Sequence, residues 1–182
     1  TDFLGKPVDP SELALRLRNT LRAKAHQDRL ALSDKLTGLP NRISFQQRLT
    51  QSLEIAVINE HQCAVMHIDP ARFKKINDSF GQAMGDLVLK AIAQRLEGLI
   101  LLGDKPLEYM PSADPFVARL GGDEFAIVLP DQRDIAQVTR LAEQVRSAFD
   151  QPFNVANEEL FVSLGIGIAI APQDGAAVSY TH

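Results

Sequence analysis

The chain has 182 residues, 45% of them hydrophobic and 23% charged, which is the profile of an ordinary globular domain with enough length to bury a core. A formal net charge of −4 argues against a general nucleic-acid binder, so an anionic substrate has to be drawn in by local cations or bound metal. The single cysteine, Cys63, rules out an internal disulfide, and no segment reaches the run of about 18 apolar residues that a membrane span requires.

In chain order, Asp9, Pro10, Ser11 and Glu12 make a helix-start signal. Leu13, Leu17 and Leu21 then repeat every four residues, which predicts one long helix from about Pro10 to Ser33, either a connector or dimer stalk, with Lys24 and Asp28 breaking the heptad, or a helix packed on its own domain. Gly38 and Pro40 mark a loop over 34–42. A helix over 43–59 follows, with Phe45, Leu49, Leu53 and Ala56 or Val57 inward. Residues 62–69 read as a strand ending on Asp69, with Cys63 as buried filler and His67 as an ordinary strand residue. Residues 70–86 read as irregular or a short helix, and the next amphipathic helix carries Leu87, Ile92, Leu96 and Leu99 on one stripe. The proline-containing stretch 101–115 is expected to be an interrupted strand.

Strands FVARL and EFAIVLP flank the bend Gly121-Gly122-Asp123, a helix spans the region after Gln132, and 153–172 reads as paired strands. His26 and His61 are expected to face solvent. The resulting βαββαβ order, behind an N-terminal helix, predicts an α+β fold: a mainly antiparallel, ferredoxin-like sheet covered by helices.

Adjacent carboxylates at Asp123 and Glu124 repel each other in a bend that glycines make tight. The pair is either a solvated hairpin tip or half of a cation site. If the strand ending at Asp69 lies beside the hairpin, Asp69 and Asp123 can meet, and oxygen-only ligands favour Mg²⁺ or Mn²⁺ over zinc.

The residues RLGGDEF at 119–125, DKLTGLPNR at 34–42, the segment ID…FKKINDSFG…GD at 68–86 and SLGIGIAI at 163–170 together resemble the GGDEF domains, the diguanylate cyclases. The resemblance covers about 33–175 in the right order. It implies a nucleotide-cyclase or polymerase-palm type of domain that condenses two GTP into cyclic di-GMP with release of pyrophosphate, working as a homodimer. By the same resemblance Asp69, the Pro70 carbonyl, Asp123 and Glu124 hold Mg²⁺ or Mn²⁺, and Asp123 and Glu124 are the catalytic acids. Asn77 and Asp86 read guanine, and Phe73 and Lys74 lie along the triphosphate.

Residues 1–25 bear a shorter resemblance to the last strand and helix of a response-regulator receiver domain, with Lys6-Pro7 as its mark. The expected division is a receiver remnant and stalk helix at 1–33 and a GGDEF domain at 34–182, stopping before the family's last phosphate-gripping helix. That implies a bacterial, cytoplasmic two-component protein with a histidine kinase upstream and room for an EAL-type phosphodiesterase downstream. The chain departs from the family pattern at Ala71, where a second acid is usual, and at Gln82, where histidine is common. The family's product-inhibition motif is also missing: Ser112 and Pro115 stand in its register. The alternative is a catalytically weak GTP-binding or dimerising module that regulates an attached phosphodiesterase.

Overall fold

Asn41 starts the first long helix of the domain: its side-chain oxygen accepts from the Ile43 and Ser44 amides at 3.0 and 3.1 Å. This is α2 (Arg42–Ile58) in a computed structural model that describes residues 13–21, 31–100 and 114–174. Ahead of it, residues 13–21 form helix α1, with Leu13, Leu15, Leu17 and Leu21 exposed. Residues 31 and 32 are helical, so the expected helix ends one residue before Ser33, which pairs with Pro40 in an isolated β-bridge. The receiver-like residues 1–12, the segment 22–30 with His26, the predicted strand within 101–113 and the terminal residues 175–182 lie outside the described residues.

The remaining elements are β1 (Gln62–Pro70), α3 (Phe73–Phe80), α4 (Gln82–Ile100), β2 (Phe116–Gly121), β3 (Glu124–Gln132), α5 (Ile135–Ala148), β4 (Phe153–Val155), β5 (Glu158–Leu160) and β6 (Leu164–Ala171). Four strands make one antiparallel sheet in the order β2-β3-β1-β6, which is the ferredoxin-like arrangement expected from the βαββαβ order. The predicted pairing within 153–172 divides differently. β4 and β5 form a separate hairpin, and β6 leaves it to lie beside β1.

Alternation along β1 sets two cores. Ala64, Met66 and Ile68 face α3, α4 and α5, whereas Cys63 and Val65 face α2 with Phe45, Leu49, Phe116, Ala126 and Val128. Burial pushes the Cys63 thiol up to about 11, as expected for structural filler. On α2 the choice between Ala56 and Val57 falls to Ala56, since Val57 is exposed. Leu87 is also exposed rather than inward. α4 begins at Gln82, before Gly85-Asp86, and its buried stripe is Val88, Leu89, Ile92, Ala93 and Leu96. His61 is not a free surface group: its Nδ1 lies 2.7 Å from Asp131 Oδ1, which also accepts from Asn59 Nδ2 at 2.8 Å. Among the described residues no helix is long and apolar enough to cross a membrane.

Candidate active site

Gly121 and Gly122 carry φ of +135° and +55°, and a Cβ at either would meet nothing within 4 Å. Backbone conformation, not lack of room, asks for glycine in this turn. The turn is clamped from both sides. Arg119 donates from Nε and Nη2 to the Gly122 carbonyl at 3.1 and 2.5 Å, and from Nη1 to Asp34 Oδ1 at 2.8 Å. Arg42 Nε donates to the Leu120 carbonyl at 3.0 Å, and the Arg119 amide donates to the Pro40 carbonyl at 2.9 Å.

Burial raises the Asp34 carboxyl, but hydrogen bonds from Arg119 and from the Thr37 hydroxyl and amide outweigh it and hold it below its ordinary value. The 34–42 segment, expected as a loop and as one of the family's motifs, is thus the brace of the acidic turn. Its own sequence carries the signal, an Asp three residues before a Thr that caps back onto it at 2.7 and 2.9 Å. Its partner Arg119 is 85 residues away and invisible to local pattern.

The register of β1 then sets the acids. His67 pairs with Ala126 and Ile68 with Phe125; the same register continued by one residue would set Asp69 opposite Glu124, while Asp123 stays in the turn. Opposed residues of an antiparallel pair share a face, and His67, two residues from Asp69, joins them: its Nε2 stands 4.0 Å from Glu124 Oε1. Arg42 Nη2 stands 3.7 Å from Glu124 Oε2. On the other side of β1, Asp69 and His67 pair with Gly165 and Gly167, which leave a floor without side chains. Asp69 and His67 are exposed, and Asp123 and Glu124 half-buried.

Among the described residues no three His, Cys, Asp or Glu side chains stand close enough to form a metal centre by themselves. The donor chemistry still fits a hard divalent cation: an exposed Asp69 and half-buried Asp123 and Glu124 suit an ion that takes only one or two protein carboxylates and completes its shell with phosphates and water.

Ala71 N–H donates to the Ser163 carbonyl at 2.8 Å, and Arg72 turns the chain with φ of +61° directly into α3. α3 starts with no side-chain cap, so its first amides and positive dipole end are free to meet an anion just past Asp69 and Pro70. Phe73 is buried, which leaves only its backbone for a ligand, whereas Lys74 is exposed. Asn77 lies against Gly85, whose chain neighbour is Asp86, where α3 meets α4. The Asn77 Oδ1 atom is buried without a hydrogen-bond partner among the described residues. His67 and Arg42 were not predicted as parts of this site. Period-2 alternation with Asp69 was the available signal for His67. Two surface hollows, of about 460 and 660 Å³, flank the opposite end of β1 at Gln62 and hold none of the predicted site residues.

Residues 31–181 match the family described as diguanylate cyclase, GGDEF domain. The chain is 39% identical over 159 residues to diguanylate cyclase TpbB of Pseudomonas aeruginosa, covering 87% of this chain and 33% of TpbB. It is 33% identical over 187 residues to the response regulator PleD of Caulobacter vibrioides, covering 96% of this chain and 38% of PleD. It is also 36% identical over 154 residues to the P. aeruginosa bifunctional diguanylate cyclase/cyclic di-GMP phosphodiesterase MucR, covering 85% of this chain and 21% of MucR.

The chain therefore spans between about a fifth and two fifths of these relatives. Among solved structures, the isolated GGDEF domain of TpbB superposes with a TM-score of 0.69 at 38% identity, covering 79% of each chain. A sensory box/GGDEF protein of Caulobacter crescentus gives a TM-score of 0.69 at 32% identity, covering 80% of this chain and 86% of that one. The clamped glycine turn, the acids at the ends of neighbouring strands and the ferredoxin-like sheet are thus those of a member of the GGDEF diguanylate cyclase family, to which this chain belongs.

Proposed function

We propose that the domain condenses two GTP into cyclic di-GMP, two copies facing each other with one GTP each. The observation that carries this is the β1–β3 register, whose last paired rung, Ile68 with Phe125, leaves Asp69 and Glu124 as the next residues of the two strands, beside the Gly121-Gly122 turn. Asp69, the Pro70 carbonyl, Asp123 and Glu124 would hold Mg²⁺ or Mn²⁺, which supplies charge neutralisation at the α-phosphate and the departing pyrophosphate. The uncapped amides at Phe73 and Lys74, with the Lys74 ammonium, bind the triphosphate oxygens. Asn77 and Asp86 bind the base.

Glu124 accepts the proton of the 3′-hydroxyl as its oxygen attacks the α-phosphorus of the facing nucleotide and the bond to pyrophosphate breaks. Arg42 Nη2 and His67 Nε2 flank that carboxylate at 3.7 and 4.0 Å. A side-chain-free floor at Gly165 and Gly167 admits the second nucleotide close to the acids. Proximity and orientation in the facing pair supply much of the rate.

A second arrangement, a GTP-binding module that regulates an attached phosphodiesterase, draws support from MucR, a bifunctional relative of which the chain spans 21%. The substitution of Ala71 for the usual acid points the same way. A receiver and histidine kinase upstream, and a cytoplasmic setting, belong to the first arrangement; the similarity to PleD, a response regulator, supports the receiver. Incubation with GTP and Mg²⁺ separates the two. The cyclase yields cyclic di-GMP and pyrophosphate, and Glu124→Gln lowers the rate about 100-fold or more while GTP still binds. GTP binding without product would establish the regulatory module instead.

A further inference from the structure

We infer that Gly85 is a positioning residue for purine recognition: the notch left by its missing side chain seats the Asn77 carboxamide oxygen and thereby turns the Asn77 amino group toward the ligand. This rests on the GTP assignment above. α3 and α4 close on each other at this point. A Cβ on Gly85 would stand 1.8 Å from Asn77 Oδ1, 3.0 Å from Asn77 Cγ and 3.2 Å from Phe73 Cζ. Gly85 is buried inside α4 and its φ is not positive, so the position demands glycine for space alone. Glycine weakens a helix interior, which makes a packing reason necessary.

The seated oxygen is buried and has no hydrogen-bond partner among the described residues. One of the two Gly85 Cα hydrogens points where the Cβ would be, into that oxygen, and a weak Cα–H···O contact favours oxygen over an amino group there. A carboxamide has one acceptor atom and one double donor. With the acceptor held inside, the atom left for a ligand is the donor. It therefore reads a ring acceptor such as purine N3 and is turned away from an exocyclic amine. Asp86, the next residue, is acceptor-only when ionised and takes the N1–H and exocyclic N–H donors of guanine. The pair is complementary to guanine only in this orientation of Asn77.

The test measures binding of a fluorescent GTP analogue with Mg²⁺, and thermal melting, for the whole chain and for Asn77→Ala, Gly85→Ala and the double variant. Each single variant is expected to weaken binding about tenfold, the loss of one hydrogen bond in a desolvated site. The double variant is expected to bind no worse than either single one, because both act through the same group. It is also expected to melt above Gly85→Ala, since removing the carboxamide relieves the clash. Normal binding by Gly85→Ala, or losses that multiply in the double variant, would overturn the inference. If Gly85→Ala does not fold, recovery of a melting transition in the double variant supports it and failure to recover overturns it. Loss of binding confined to Asn77→Ala leaves the GTP assignment standing and removes only the role of Gly85. Absence of GTP binding by the unmodified chain removes the GTP assignment itself.

Discussion

Asp34 shows how one residue can matter to a site it does not touch. Its carboxylate receives Arg119 at 2.8 Å, and the same guanidinium holds the carbonyl of Gly122 in the acidic turn. Asp34→Ala leaves the largely buried Arg119 without its charged partner and is expected to cost about 2 kcal/mol in urea or thermal unfolding. Because the folded carboxyl titrates below its ordinary value of 3.8, its stabilisation is complete above that pH and is lost as pH falls through the depressed folded value. The stability gap between the native chain and Asp34→Asn is therefore expected to be full at pH 6 and to close in strong acid. A gap that widened on acidification would contradict the assignment.

Cys63, 1% exposed with its thiol pushed up to about 11, is expected to resist alkylation at pH 8 until the chain unfolds. The acids of the site, Asp69, Asp123 and Glu124, could be picked out by reading along the chain because they follow strand ends and glycines. The Asp34–Arg119 and His61–Asp131 pairs, separated by 85 and 70 residues, could not. Nothing local in a single sequence tells which arginine or aspartate comes back to meet a given partner.

Among the elements, the junction of α4 with α5 depends on Arg95. It donates to the carbonyls of Ala148, Gln151 and Pro152 at 3.1, 2.7 and 2.8 Å, which satisfies the end of α5 and the turn after it. Its guanidinium also lies 3.4 Å from the Phe153 ring centroid and 5.5 Å from that of Phe149. Arg95→Ala is expected to destabilise the domain by about 2 kcal/mol, and Arg95→Lys by less, because lysine keeps the charge but not the planar fork. Melting temperatures of the two variants check the order.

Strand and helix positions were readable from the apolar pattern: β1, β3 and α2 fall within a residue or two of where it puts them. The start of α4 was not readable. Gly85 looks like a breaker in sequence, yet it sits in the helix interior because the carboxamide of Asn77 and the ring of Phe73 occupy its missing side chain's place. Leu87 stands five residues before Ile92, which turns it about 140° away from the stripe that Val88, Leu89, Ile92 and Leu96 form. The departure of β6 from its neighbours β4 and β5 was likewise hidden, because alternation says that a segment is a strand and not which strand it pairs with.

At the scale of the whole molecule, the acids lie on an open face of the sheet with a bare floor at Gly165 and Gly167, a surface that a second nucleotide-bearing copy can approach. If catalysis needs two facing domains, specific activity is expected to rise with chain concentration at saturating GTP and to level off once dimers dominate. Rates measured over a dilution series check this, and a specific activity independent of dilution would contradict it.

On the proposed function, carboxylates at the end of β1 and at the β2–β3 turn bind a divalent cation together with nucleotide phosphates. Mn²⁺ binding followed by electron paramagnetic resonance, with and without a non-hydrolysable GTP analogue, tests it most directly. Mn²⁺ is expected to bind the unmodified chain more tightly once the analogue is present, and Asp69→Asn is expected to abolish that gain with little change in melting temperature. Equal gains in the unmodified chain and in Asp69→Asn would contradict the account.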